Sequence, residues 1–381
     1  MRHRLVVALA LLVLVSCRQE RTFPPLRGLA LGWGHSLAIT ANGTLLAWGE
    51  NSEGQLGICD VQNRLLAELV EPTDEPLDLP WLDVAGGSRH TCAIAEDGSM
   101  WCWGTNVHGQ LGLGNTINQT MPTRVGVDDD FVQVTLGGLH TCALRANGTL
   151  WCWGANPAGQ LGLGESTAEE HAPRQVGTDT TWTHIVARAR FVCGLHQDHS
   201  LWCWGDDSNG QIGIDSVVDQ RTPQRVGAER SWVAVGTGTR HACAIDTDGA
   251  LYCWGANDVG QLGLGDTVDR HVPVRVGSEV GWAFVAAGFS HTCALRTDRS
   301  LWCWGDDVSG QLGLDESPSP HATPTRVGAD DDWLSLAVGA DHSCAQRTDG
   351  TLWCWGSGEY GQLGLGDATD NPFPALVPLG L

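Results

Sequence analysis

The chain has 381 residues and a formal charge of −22, and all 22 of its basic residues are arginine. Such a field repels phosphate backbones and disfavours nucleic-acid binding from the outset. Fifty glycines and 18 tryptophans against three methionines suit many short strands joined by tight turns around an aromatic core, not a helical bundle.

The N-terminus reads as a targeting signal. Arg2 and Arg4 precede an unbroken apolar run of eleven residues, Leu5 to Val15, which is short for a membrane span and fits the core of a signal peptide. The run closes in Leu14-Val15-Ser16-Cys17, a pattern that resembles the bacterial lipobox, whose cysteine is acylated and becomes the mature N-terminus. The expectation is a signal peptide over residues 1–16, lipidation at Cys17, a short tether over 17–25 and a folded body over 26–381. Cleavage there removes two arginines and no acid, so the body is more negative still. No other segment is apolar enough to cross a membrane, which leaves the lipid as the anchor. Arg18 follows the cysteine where some lipoproteins carry an inner-membrane retention Asp, so the expected place is the outer membrane, if there is one, or the cell surface.

From Leu26 onward the chain repeats itself. Gly-Gln-Leu-Gly starts at Gly54, Gly109, Gly159, Gly260, Gly310 and Gly361, with Gly210-Gln211-Ile212-Gly213 as a variant. Around each copy the order is the same. An aromatic-led strand such as Trp81-Leu82-Asp83-Val84 is followed by a glycine step and His-Thr-Cys-Ala, as at His140 to Ala143. A turn such as Asp248-Gly249, a Leu-Trp-Cys-Trp-Gly strand, the Gly-Gln-Leu-Gly loop and a closing Pro-x-x-Val complete the unit. The repeats run approximately 26–80, 81–130, 131–181, 182–231, 232–281, 282–332 and 333–381. Each carries four short strand signals and no helical period. Seven units of four strands predict an all-β, seven-bladed propeller, in which radial packing hides most sheet edges. A linear solenoid would need polar end caps, and the first and last units keep the apolar pattern.

The units resemble the repeats of the regulator of chromosome condensation family. The resemblance rests on His140-Thr141-Cys142-Ala143-Leu144, Asn147-Gly148, Trp153-Gly154-Ala155-Asn156 and Gly159-Gln160-Leu161-Gly162, and on their counterparts in the other units. It implies a seven-bladed propeller. It also implies the range of roles known in the family, from guanine-nucleotide exchange on a small GTPase to inhibition of β-lactamases by a secreted bacterial propeller. The fourth unit departs from the pattern, with Phe191-Val192-Cys193 where His-Thr-Cys is expected.

Twelve of the 14 cysteines form pairs ten residues apart: Cys92/Cys102, Cys142/Cys152, Cys193/Cys203, Cys243/Cys253, Cys293/Cys303 and Cys344/Cys354. With a three-residue turn at Glu96-Asp97-Gly98, Cys92 falls opposite Cys102, within reach of a disulfide. In the first unit Leu37 and Ala47 hold the two equivalent positions, so both cysteines are missing together, as bonded partners would be. Zinc would need four converging ligands, and each hairpin offers two. The pairs are therefore read as six disulfides formed in an oxidising compartment. Cys59 is left over, as a free thiol or as one half of an intermolecular pair.

The remaining constellations read as scaffold. His35, His90, His140, His241, His291 and His342 recur once per unit and are expected to bond the backbone of their own blade. The Trp-Cys-Trp indoles lie on the face opposite each cysteine, as inter-blade core. Asp128 to Asp130, Asp330 to Asp332, Asp206-Asp207 and Asp306-Asp307 are expected to form a solvated acidic rim. The Asp-Gly turns lack the Asp-x-Gly spacing of a sialidase Asp-box, and no Ser-His-Asp order or phosphate-binding loop stands outside the repeat. No cofactor or metal ligand set is expected. The expected function is non-enzymatic: a monomeric, membrane-anchored extracytoplasmic scaffold that presents a rigid propeller face to a protein partner. The alternatives are guanine-nucleotide exchange and a glycan-binding or hydrolytic propeller. The residues that are not copies, Cys59, the 58–75 segment and Phe191, mark where function would break the symmetry.

Overall fold

Short alternating segments bounded by glycine turns can bury both faces only if neighbouring sheets stack on each side of them. The computed structural model, which describes residues 26–71, 80–314 and 320–379, shows that arrangement. In the first blade β1 (Gly28–Leu31), β2 (His35–Ile39), β3 (Leu45–Gly49) and β4 (Arg64–Leu69) pair in sequence order. In the second, β5 (Trp81–Gly86), β6 (His90–Ala95), β7 (Met100–Gly104) and β8 (Gln119–Arg124) do the same. Five more four-stranded sheets follow among the described residues. The first strands of successive blades touch around the ring and so line a central channel. The strands of each blade are called A to D from the channel outward.

The hairpin between strands B and C sets the register. Gly98 adopts φ +82°, a conformation that costs glycine little, while the Asp97 carboxylate accepts the Ser99 N–H at 2.9 Å. Ala95 N–H donates to Ser99 O at 2.9 Å, and Cys92 therefore pairs with Cys102. Disulfides join Cys92–Cys102, Cys142–Cys152, Cys193–Cys203, Cys243–Cys253, Cys293–Cys303 and Cys344–Cys354.

Strand alternation sends the disulfide and the second indole of Trp-Cys-Trp to opposite sides of the sheet. Each disulfide packs toward the following blade, where it meets that blade's buried tryptophan: Cys92 and Cys102 with Trp153, Cys142 and Cys152 with Trp204, Cys193 and Cys203 with Trp254. Between the first two blades Leu37 and Ala47 take the place of the disulfide beside Trp103. Leu37 thus fills with a branched side chain the space that sulfur occupies elsewhere.

The Gly-Gln-Leu-Gly loop ties neighbouring blades together. Its Gln carbonyl accepts the next blade's indole N–H, as in Trp103 to Gln55 O at 2.9 Å, and the next blade's hydroxyl, as in Thr91 to Gln55 O at 2.7 Å. An Asn at the loop's start holds it from inside; Asn51 Oδ1 accepts the Leu56 N–H at 2.9 Å. The ring closes with the same device over the longest sequence separations. Trp48 and Ser36 donate to Gln362 O at 2.9 and 2.7 Å, and Cys344 and Cys354 pack with Trp48. Among the described residues every sheet is built from one contiguous stretch of chain, so the ring they form is closed by side chains and loop hydrogen bonds and not by a shared blade.

Three expectations are refined or corrected. Five of the six recurrent histidines bond across the blade boundary and not within their own blade: His35 Nε2 meets Thr91 Oγ1 at 3.0 Å, His241 meets Thr292 at 2.8 Å and His342 meets Ser36 at 3.1 Å. The Asp128–130 and Asp330–332 runs are not a free rim, because Arg124 and Arg145 pair with the first and Arg326 and Arg347 with the second. Arg145 and Arg347 also lie over Trp151 and Trp353 at 4.2 and 4.5 Å, so acid, guanidinium and indole form one stack. Asp207 and Asp307 stand where four other blades have the loop Asn, and each accepts the loop N–H at 2.9 Å. Burial pushes the Asp207 carboxyl up to about 6. The lipidation position, Cys17, lies outside the described residues.

Candidate functional site

Antiparallel order puts the A–B turns and C–D loops at one end of the ring, and the B–C hairpins and D–A connections at the other. Beyond their first residue the A–B turns vary from blade to blade. Six of them begin with glycine, because the histidine ring of the same blade sits where a side chain would be. A Cβ on Gly32 would lie 2.1 Å from His35, and one on Gly137 2.0 Å from His140. Burial holds these imidazoles neutral, with His35, His90, His140, His241 and His291 pushed down to about 3 and His342 lowered too. They are core groups, closed to solvent.

The fourth blade breaks this couple at both positions. Phe191 replaces the histidine and is fully buried, and Arg188 stands where the other six turns have glycine. The two changes go together: once the imidazole is gone, the space beside it can hold a long side chain. Val192 completes the exception, so His140, the preceding blade's histidine, has no hydroxyl to meet and neither ring nitrogen is bonded. Ala189 adopts φ +46° at the tip of the same turn. Phe191 stood out in the sequence; the Gly-to-Arg exchange three residues earlier was equally visible, but its meaning depends on where the histidine ring packs.

Arg188 spans the channel and donates from Nη1 to Val338 O, on the opposite blade, at 3.0 Å. Burial lowers its pKa to about 10, and the nearby Asp341 opposes that shift. It lines a cavity of about 660 Å³ at the channel mouth, together with Trp33, Leu139, Arg190, Phe289 and Tyr360. Trp33 is 53% exposed, whereas each second Trp of the Trp-Cys-Trp motif is fully buried. Arg89 is neutralised by Glu50 at 3.0 Å. No carboxylate among the described residues reaches ion-pair distance of Arg188 or Arg190. Backbone hydrogen bonds fasten the rim from blade to blade, with Trp33 N–H to Gly87 O at 3.0 Å and Thr239 N–H to Gly288 O at 3.0 Å. The C–D loops outside this centre carry acids such as Glu53, Asp215, Asp266 and Glu359. The face is therefore cationic and aromatic at its hub and acidic around it.

The other two exceptions lie away from the hub. Cys59 is exposed and unbridged, at φ +69° in a loop position where four blades have glycine, with its Sγ 3.0 Å from Met121 Sδ. The 58–75 segment supplies β4, whose Leu65, Leu66 and Leu69 are exposed; residues 72–79 lie outside the described set.

A family model described as an RCC1-like domain matches residues 125–380, and a regulator of chromosome condensation (RCC1) repeat model matches 42–94 and 97–144. The chain is 30% identical to the ultraviolet-B receptor UVR8 of Arabidopsis thaliana over 191 residues, half of this chain and 32% of the receptor. It is 42% identical to the protein RCC2 homolog of Xenopus laevis over 81 residues, 21% of this chain and 15% of that protein. It thus spans about a third or less of the length of either relative. Among solved structures, Prp20p of Saccharomyces cerevisiae superposes with a TM-score of 0.79 at 23% identity, covering 90% of this chain and 87% of that one. Human WBSCR16 gives 0.78 at 22% identity, covering 88% and 93%. At these identities the structural likeness establishes the fold.

Proposed function

This chain belongs to the regulator of chromosome condensation repeat family, and on that footing we propose that it is a non-enzymatic scaffold whose A–B/C–D face receives a protein partner. One observation carries the reading: in a molecule built of copies, Trp33, Leu139, Arg188 and Phe289 differ from their counterparts and gather, with Arg190, at one mouth. Loop-built faces on rigid scaffolds are where recognition concentrates, and exposed aromatics with arginine are what protein interfaces favour. Prp20p, whose fold this chain shares, has binding properties toward Gsp1p and histones, which supports a protein-binding role for such a propeller. The formal charge of −22 favours basic protein partners and disfavours nucleic acid.

The proposed setting is extracytoplasmic, with a lipid on Cys17 as anchor. Six disulfides fit an oxidising compartment, and the Leu5–Val15 run supplies the export signal. That setting argues against exchange on a cytosolic GTPase. Arg27 N–H bonds Ile39 O at 2.7 Å, and Arg27 pairs with Glu96 of a B–C turn at 2.8 Å. The chain therefore enters the ring at the face opposite the mouth, and an anchor at Cys17 would leave the mouth pointing outward.

Acyl labelling of Cys17 and globomycin-sensitive processing test the anchor; a chain that is neither labelled nor blocked ends that part. A pull-down from the envelope with the exported protein tests the face. Trp33→Ala with Phe289→Ala should lose the partner, and a substitution on the opposite face, such as Asp330→Ser, should keep it. Retention by the first and loss by the second would reverse the assignment.

A further inference from the structure

We propose that the channel mouth is a socket for a carboxylate carried on an apolar peptide segment, with Arg188 and Arg190 holding the anion and Trp33, Phe289 and Tyr360 forming the walls. The inference rests on the reading that this face receives a protein, and it names the chemical feature received.

Four observations lead to it. Arg188 is half-buried, and the hydrogen bond its guanidinium makes among the described residues is to a neutral carbonyl, Val338 O at 3.0 Å. Asp341 acts on it only through space. A half-buried guanidinium with no carboxylate at ion-pair distance keeps its charge-assisted hydrogen bonds for an anion that a partner supplies. Second, the fold makes room for it at a cost to its own repeat: Gly becomes Arg188, His becomes Phe191, and His140 loses the hydroxyl that every other recurrent histidine meets. Third, the rim N–H groups of Trp33, Gly138, Thr239, Phe289 and Ala340 are engaged with carbonyls of neighbouring blades. The charged donors left at the mouth are the guanidinium forks of Arg188 and Arg190, whose planar geometry matches a carboxylate. Fourth, the cavity of about 660 Å³ is of the size that holds a drug-sized group or a few residues, and Trp33, Phe289 and Tyr360 stand in its lining among the glycine-rich turns. The surrounding acids repel a highly charged polyanion, so a single carboxylate on an apolar body is the ligand that satisfies both hub and surround.

A carboxylate of this kind has two sources on a protein: a chain's C-terminus, or an Asp or Glu side chain on a projecting loop. The test uses three peptides, acetyl-Leu-Phe with a free carboxylate, the same peptide as its amide, and acetyl-Leu-Asp-Phe amide. Each is titrated by calorimetry against the full-length exported protein and against Arg188→Gln and Arg190→Gln. Binding of the free acid but not of either amide assigns a C-terminus; binding of the Asp peptide as well assigns the side chain too. Losing a charge-assisted pair should weaken the bound acid roughly ten- to a hundredfold in each variant. Arg190 is exposed and its variant keeps the channel contact of Arg188, so it guards against a trivial folding defect; thermal unfolding of both variants checks the same point. Equal affinity for acid and neutral amide, no binding of any peptide at millimolar concentration, or unchanged affinity in both arginine variants overturns the socket. A partner recovered from the envelope and retained by the double arginine variant would leave the protein-binding face standing and remove the socket alone.

Discussion

Replacing Cys142 and Cys152 by alanine, singly and together, asks whether the cysteines of a hairpin act as one bond. The two lie directly opposite each other with a sequence separation of 10. In the chain-entropy model, closing a loop of about 11 residues removes roughly 9 cal/mol/K from the unfolded ensemble, or about 2.8 kcal/mol at 25 °C. Both sulfurs are fully buried against the next blade, so each truncation adds on the order of 1 kcal/mol of lost packing. Either single variant should then cost about 4 kcal/mol and the double variant about 5, against about 8 if the two positions were independent. Equilibrium unfolding in guanidinium chloride under non-reducing conditions gives the three values, provided the denaturant slope is unchanged. A double variant that loses the sum of the singles would refute the pairing, and with it the argument drawn from the joint absence at Leu37 and Ala47. Thiol titration of the denatured, unreduced chain is the companion assay: none of the twelve paired cysteines should react, leaving Cys59, and Cys17 where it is not acylated.

Three further outcomes are expected. Trp204→Phe should destabilise the protein more than Trp153→Phe, by about 1–2 kcal/mol, because Gln160 O has Trp204 as its donor with Val192 alongside, whereas Gln110 O keeps Thr141; equal losses in thermal unfolding would show that the shared carbonyl does not matter. Val192→Thr should stabilise by about 1 kcal/mol, since the new hydroxyl can serve both Gln160 O and the unbonded His140 ring, and a variant less stable than the parent would contradict that account. Acid should unfold the ring early. The recurrent histidines are held neutral by burial, five of them down to about 3, while in the unfolded chain they titrate near 6.5. The unfolded state therefore binds more protons below about 6.5, and stability present at neutral pH is lost as pH falls from there toward 3. Asp83 and Asp207, raised to about 6, work in the opposite sense over part of that range. Unfolding free energies at stepped pH check the balance, and a protein as stable at pH 4.5 as at pH 7 would refute it.

The local features of this protein were legible in its sequence because their causes are local. A strand period of two, a glycine or Asx turn and a ten-residue cysteine spacing all act within one hairpin. They sufficed for four strands per unit, seven units, and the opposition of Cys92 to Cys102. Tertiary structure alone decided what depends on a neighbour about fifty residues away, or on the far side of the closure. The histidines answer to the next blade's hydroxyl, the Asp128–130 and Asp330–332 runs answer to arginines on adjoining strands, and Trp48 finds Gln362 across the seam. Arg188 shows the difference most clearly. In the sequence it is one arginine among 22. Only the packed ring reveals that six glycines are kept open for a histidine, that Phe191 releases the seventh, and that the released space leads into the channel. A side chain's partner is set by where stacked sheets bring distant residues together, and no spacing along the chain encodes that directly.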